Sequence, residues 1–288
     1  MLAIRNLCLA ALCALPLLGH APSWAWDDGT TPYVQSPMDV VERMLRLAEP
    51  KPGELLIDLG SGDGRIVIEA AKRYGARGLG VDIDPALVAL GRANARKAGV
   101  EGLASFEKKD FFELDFSQAD IVSAYLLPEV NVKLMPGFLA MRPGTRIVTH
   151  DYDMGPWPYD EMIELPVAEK LIGPMGRSRV YLFVVPADVR GIWRSQMPGR
   201  GGTWQFVIKQ EYQVLDVAAK AGAAEQVVRG QRLRGVELRL VTTGVVSGRP
   251  STHVFKGRVQ GNLIEGEVTI TDGEESRTSL WKATRAAR

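Results

Sequence analysis

Residues 58–65 read DLGSGDGR, and they join an apolar run, LLIDL (55–59), to a helical pattern, GRIVIEAAKRYG (64–75). Gly60, Gly62 and Gly64 let the backbone turn tightly and let a ligand approach it closely. A strand, a glycine turn and a helix open an α/β unit, and the next hundred residues repeat that alternation. GLGVDI (78–83), ASFEKKD (104–110), ADIVSAYLL (119–127), TRIVTHDY (145–152) and SRVYLFVV (178–185) read as strands, and PALVALGRANARKAG (85–99) as a helix. Alternation of this kind predicts a parallel sheet with helices on its faces.

The chemistry around the loop narrows its ligand. A dinucleotide fingerprint needs a third glycine three positions after the second, and Arg65 stands there. The Gly-Lys-Ser/Thr of a phosphate-cradling loop is absent too. Asp58 ends the first strand, Asp63 lies in the turn, Asp82 ends the second strand and Asp110 the third. Such a set repels polyanionic phosphates and suits a ligand with an ammonium group, a sulfonium and a ribose diol. S-adenosylmethionine (SAM) is such a ligand. Asp82 is placed to accept from both ribose hydroxyls and Asp110 from the adenine amine, with Ile83 and Phe111 on the two faces of the ring. The alternative is that these acids are only polar strand ends.

Residues 31–185 resemble a class I SAM-dependent methyltransferase. More narrowly, they are similar to the family that includes the ATP synthase c-subunit lysine N-methyltransferase. The features that carry the resemblance are Tyr33-Val34, the long helix leading to DLGSGDGRIV, the LLPEV segment (126–130) and GTRIVT (144–149), with Tyr152 and Trp157 at aromatic positions. It implies a Rossmann-like seven-stranded sheet and SAM as cofactor. The implied cofactor residues are Tyr33, Asp58, Gly60, Ser61, Gly62, Asp63, Asp82, Ile83, Asp110 and Phe111. The implied acceptor is an amine, foremost a protein lysine, with a small-molecule amine or a non-catalytic SAM-binding protein as alternatives.

Methyl transfer from a sulfonium is an in-line displacement driven by proximity and orientation, which supply roughly 7–11 kcal/mol at best. The resemblance places an acceptor pocket around Tyr125, Leu126, Pro128 and Glu129, with a second wall from residues 150–153 and Trp157. This chain departs from the family there, carrying His150, Asp151 and Asp153. One reading has the two aspartates draw a cationic amine while His150 takes its proton. The other is a helix-capping acid cluster with His150 packed beside it. Tyr125 and Tyr152 offer ring faces to the sulfonium methyl or the acceptor.

Residues 187–288 change character. TWQFVIKQEYQVLDV (203–217), VELRLVTTGVV (236–246), THVFKGRV (252–259), LIEGEVTI (263–270) and SLWKATR (279–285) alternate with period two between glycine turns. They predict a small antiparallel barrel or sandwich beginning near 186–191. Residues 26–186 carry 24 acidic and 18 basic residues, and residues 187–288 carry 10 and 16. These opposite balances permit the two parts to dock. The basic part interleaves arginines with Trp193, Trp204 and Trp281, but the arginines are spread along the strands. That favours outward arginines and inward aromatics over a nucleic-acid surface.

Residues 1–25 read as an address. Arg5 precedes the apolar LCLAALCALPLL (7–18), and Ser23-Trp24-Ala25 offers small residues for a signal peptidase. Twelve residues rise only about 18 Å as a helix, short of a bilayer core of roughly 30 Å. The expectation is a cleaved signal, export to the periplasm and no membrane span afterwards. Both cysteines, Cys8 and Cys13, fall in this segment. Without them, and with only His150 and His253 remaining as imidazoles, no structural zinc site is expected.

Overall fold

The computed structural model describes residues 33–168, 170, 176–197 and 202–287. The expected signal, residues 1–25, lies outside the described residues.

The first part is a seven-stranded sheet in the order β3-β2-β1-β4-β5-β7-β6. Its strands are β1 (Leu55–Leu59), β2 (Arg77–Asp82), β3 (Ala104–Lys108), β4 (Ile121–Ala124), β5 (Arg146–His150), β6 (Glu161–Pro166) and β7 (Arg177–Val184). The first five are parallel, and β7 runs antiparallel to both of its neighbours. Helix α1 (Met38–Ala48) precedes β1, and helices α2 (Arg65–Tyr74), α3 (Pro85–Ala98) and α4 (Pro128–Leu139) cross over between strands. In α1, Val40, Val41, Met44, Leu45 and Ala48 are buried, a helical spacing that lays one face on the sheet. In α3, Asp84 accepts from the Ala86 amide at 2.7 Å, with Pro85 at the first helical position, a strong start signal.

Among the sequence expectations, the strand over 119–127 is shorter in the structure. Pairing stops at Ala124, and Tyr125-Leu126-Leu127 turns into α4. The seventh strand, β6, lacked a sequence signal because it is a half-exposed edge strand with glutamates at both Glu161 and Glu164.

The second part is a closed barrel in the order β10-β11-β12-β13-β14-β15-β8-β9. It is formed by β8 (Gly191–Gln196), β9 (Thr203–Glu211), β10 (Val214–Ala221), β11 (Ala224–Arg234), β12 (Glu237–Val246), β13 (Arg249–Gln260), β14 (Leu263–Asp272) and β15 (Glu275–Arg285). The stretch 203–217 is two strands joined at Tyr212-Gln213, not one. β11 escaped the alternation test because its register slips between Arg229 and Arg232. Eight strands leave an interior that side chains can fill, and here Trp193, Trp204, Phe206, Phe255 and Trp281 fill it. Arg194, Arg229, Arg232, Arg239, Arg249 and Arg258 are exposed. The aromatics therefore face inward and these arginines outward, as the alternation implies. Several basic groups pair with acids on the barrel itself, as in Arg258–Glu237 at 2.6 Å and Lys282–Glu265 at 2.5 Å.

Few polar contacts tie the barrel to the sheet. Arg234 pairs with Glu161 at 2.7 Å, and the Ala187 amide donates to the Gly235 carbonyl at 2.8 Å. Tyr212 packs against the apolar cluster that includes Ile57, Phe138 and Phe183. Among the described residues no helix is long and apolar enough to cross a membrane.

Within the barrel, Gly266 faces Gly257 across β13 and β14, and a Cβ at Gly266 would lie 2.0 Å from the Lys256 carbonyl oxygen. Forced overpacking of this kind costs roughly 1–3 kcal/mol. Gly266→Ala is expected to destabilise the chain by about that amount in denaturant titration, without changing cofactor affinity.

Candidate active site

The sheet's order reverses between β1 and β4, since one neighbours β2 and the other β5. A crevice opens at the carboxyl ends of the strands at such a point, and the glycine loop occupies it. Gly60, Gly62 and Gly64 have φ of +74°, +54° and +83°, a region that favours glycine. The amides of Gly60 and Ser61 both donate to the Val81 carbonyl at 2.9 Å, and the Gly62 amide donates to Asp82 Oδ2 at 2.9 Å. Asp82 Oδ1 accepts from the Asp84 amide at 3.0 Å. Each Asp82 oxygen thus takes one backbone donor, and a carboxylate has about four acceptor sites, so capacity for a diol remains.

Asp58 is buried in β1 and accepts a hydrogen bond from Ser123 Oγ at 2.7 Å. Burial pushes its carboxyl up to about 7 against the pull of that bond, and the charges of Asp82 and Asp63 add to the rise. Ser61 Oγ is buried with no protein partner. An excess of acceptors, an orphaned hydroxyl and an open glycine backbone fit a cationic ligand bearing hydroxyls, as SAM does. Ile83 follows Asp82 directly and is 58% exposed, an apolar side chain held out at the crevice.

Asp63 and Asp110 both have partners within the chain. Asp63 is engaged by the chain itself. Its Oδ1 accepts from Arg65 Nε at 2.9 Å, and its Oδ2 accepts from Arg65 Nη2 at 2.6 Å and Gln35 Nε2 at 3.2 Å. Arg65 also donates to the Ser36 carbonyl at 2.6 Å, so this pair ties the loop to the segment before α1. Asp110 lies two residues past β3 and caps a short 3-10 turn, Phe111–Glu113, accepting from the Phe112 amide at 2.9 Å. Phe111 is half-buried against Phe112, and Tyr33 is 48% exposed.

On the acceptor side, β5 delivers His150 and Asp151 into a buried network. His150 Nδ1 lies 2.9 Å from Ser36 Oγ, and Nε2 lies 2.9 Å from Ser178 Oγ. Lys170 donates to Ser178 Oγ at 3.0 Å and to the Arg177 carbonyl at 2.7 Å, and it forms an ion pair with Asp151 Oδ2. Tyr125 OH donates to the same Oδ2 at 3.0 Å, and the Arg179 amide donates to Oδ1 at 3.2 Å. Asp151 holds φ at +66°, a strained setting that its backbone bond to the Arg179 carbonyl at 2.7 Å helps fix. The Tyr125 ring lies 3.9 Å from the His150 ring, centroid to centroid. Burial and the Asp151 charge hold the Tyr125 phenol well above its usual range, so it stays a neutral donor.

This arrangement corrects two expectations. His150 has both ring nitrogens occupied, and Asp151 is neutralised by the chain's own Lys170, so neither faces an incoming amine as a free base or a free charge. Trp157 belongs to the barrel contact and not to an acceptor wall: it is buried on Phe183 and its Nε1 donates to Gln213 Oε1 at 3.0 Å. Tyr152 is half-buried, and its carbonyl accepts from Thr149 Oγ1 at 2.6 Å and Asn131 Nδ2 at 3.2 Å. Ser36, Asn131, Lys170 and Ser178 went unread in the sequence, because their roles exist only through partners distant in the chain.

Burial pulls the His150 imidazole down to about 4, with the Lys170 charge adding and Asp151 opposing. A histidine depressed from 6.5 stays neutral in the folded chain, while the unfolded chain takes up the proton. Its contribution to stability is therefore present above pH 6.5 and lost as pH falls toward 4. Nitrogen-15 NMR is expected to find this ring neutral at pH 5.5.

Comparison with known proteins agrees with the crevice. The ANTKMT methyltransferase domain family matches residues 58–161. A protein-lysine N-methyltransferase of Saccharolobus islandicus is 40% identical over 156 residues, which are 54% of this chain and 93% of that protein. The mouse adenine nucleotide translocase lysine N-methyltransferase is 36% identical over 128 residues, so the chain spans about half, 55%, of its length. An RNA methyltransferase of Salinibacter ruber, solved with S-adenosyl-L-homocysteine, is 45% identical with a TM-score of 0.49, covering 54% of this chain and 96% of that one. With nearly the whole archaeal protein matched, the chain belongs to this family of SAM-dependent methyltransferases.

Proposed function

We propose that the chain transfers the methyl group of SAM to the side-chain amine of a protein lysine. The observation that carries this acceptor is the archaeal relative of that name, matched over 93% of its length. When bound, SAM supplies a methyl group activated by its sulfonium. Asp82 would hold the ribose hydroxyls, the backbone of Gly60 and Gly62 would lie open to the amino acid moiety, and Ile83 and Phe111 would flank the adenine. Asp58, whose carboxyl burial pushes up to about 7, would favour its ionised form beside a cation.

On the acceptor side, the chain's contribution is orientation. Tyr125 is fixed by its bond to Asp151 and by the His150 ring, so its ring forms a rigid wall at the end of β4. Lys170 cancels the Asp151 charge and keeps that wall from swinging. Asp153 and Glu129 are exposed at the same end of the sheet and draw a cationic side chain toward it. The attacking amine loses its proton to solvent, because His150 is committed to Ser36 and Ser178.

Charge-assisted bonds are worth roughly 1.5–3 kcal/mol each, so Asp82→Ala is expected to weaken SAM binding by about 100-fold or more in titration calorimetry. Labelled SAM is expected to yield labelled methyllysine on acid hydrolysis of cell protein. Label confined to small molecules would overturn the lysine acceptor. Export of the chain, proposed from residues 1–25, predicts that a reporter fused after residue 30 is active in the periplasm and inactive when those residues are deleted.

A further inference from the structure

The methyltransferase family model matches residues 58–161, and the barrel, which follows in the chain, reaches the loop after β5. Its β9–β10 hairpin turns at Tyr212-Gln213, and Gln213 grips residues 151–160 from both sides of its amide. Its Oε1 accepts from Trp157 Nε1 at 3.0 Å, and its Nε2 donates to the Pro158 carbonyl. Trp157 is in turn bridged to Met154, which closes a tight turn in the loop. The other end of the loop is pinned by Asn131 of α4, whose Nδ2 donates to the carbonyls of Tyr152 and Asp153, each at 3.2 Å. The hairpin itself is braced. Gln210 Nε2 donates to the Tyr212 carbonyl at 2.6 Å and the Ala187 carbonyl at 2.9 Å, and its Oε1 accepts from the Val189 amide at 2.8 Å.

The loop's ends are held to the sheet, where the Asp151 amide donates to the Arg179 carbonyl at 2.7 Å and the Asp160 amide to the Leu182 carbonyl at 2.8 Å. Asn131 and Gln213 add two further anchors between those ends, and a stretch that loses one of them regains conformational entropy. One anchor comes from the methyltransferase fold and the other from the barrel. The side-chain amide accepts from the indole N–H with its oxygen and donates to a carbonyl with its nitrogen, which a methionine of similar length does not do and a carboxylate does only in part.

We propose that Gln213 is a positioning residue for the acceptor side of the site, holding the 151–160 loop so that Tyr152 and Asp153 meet the acceptor in one geometry. This rests on the reading that the acceptor approaches at the ends of β4 and β5. The barrel thereby becomes part of the acceptor site without touching the cofactor.

The test uses the full chain with Gln213→Met, Gln213→Glu and Trp157→Phe. Hydrogen exchange by mass spectrometry follows the loop amides, calorimetry follows SAM, and labelled methyl transfer to poly-L-lysine follows the acceptor. Gln213→Met is expected to speed exchange across 152–159 at least tenfold while SAM affinity stays within twofold. KM for poly-L-lysine should rise at least fivefold with kcat within twofold. Gln213→Glu, which keeps an acceptor for the indole, should recover part of both effects. Trp157→Phe removes one of the two bonds that Gln213→Met removes, so adding Trp157→Phe should raise loop exchange less in Gln213→Met than in the parent chain. Unchanged loop exchange in Gln213→Met overturns the proposal, as does exchange that rises equally throughout the barrel. If the parent chain methylates no poly-L-lysine, the lysine reading falls, and loop exchange alone decides the role of Gln213.

Discussion

A parallel sheet that winds outward in both directions from β1 and β4 has to leave a gap where the two crossovers part. The residues proposed to hold the cofactor collect at that gap. The glycine loop fills it, Asp82 fastens the loop from the neighbouring strand, and Asp58 and Ser123 lie beneath it on the two strands that define it. The charges of Asp82 and Asp63 add to the proton affinity that burial gives Asp58, an arrangement that suits a cationic occupant.

The acceptor side follows a different economy of charge. Asp151 is deeply buried, and a buried carboxylate is costly unless paired and hydrogen-bonded. Lys170, Tyr125 and the Arg179 amide supply those partners, and His150 stays neutral between two serine hydroxyls. A network satisfied this fully rigidifies its members. It yields a fixed aromatic wall and gives up a general base. For a displacement at a sulfonium methyl, where alignment counts for more than proton transfer, that exchange is favourable.

Much of this was legible in the sequence where the signal was local. DLGSGDGR announces its own turn, Asp82 is found by its place at the end of the next apolar run, and the barrel strands β12 to β15 declare themselves by alternation. What stayed hidden depends on partners far along the chain. Asp63 looks like a ligand carboxylate until Arg65 is seen to face it. Trp157 looks like a pocket aromatic until a glutamine 56 residues later takes its N–H. Lys170 carries no pattern at all, because a lone lysine acquires meaning only from the buried Asp151 that it neutralises. β6, β8 and β11 were missed for a simpler reason: β6 and β8 are six-residue strands, β6 only half-buried at an edge, and the register of β11 slips.

The barrel's closure also sets an order of events in folding. Its seam pairs Thr284 with Arg194 and Arg285 with Trp193, joining the final strand to the first across some ninety residues. Contacts so distant in sequence form slowly, because the chain entropy between them is lost before the contact repays it. On the ribosome the seam must wait until the last strand has emerged, whereas the β9–β10 hairpin is local and closes early. The element that reaches toward the acceptor loop is thus ready before the barrel behind it is complete. A chain shortened by a few residues at its end would keep that hairpin while leaving two strand edges open to pairing with other chains.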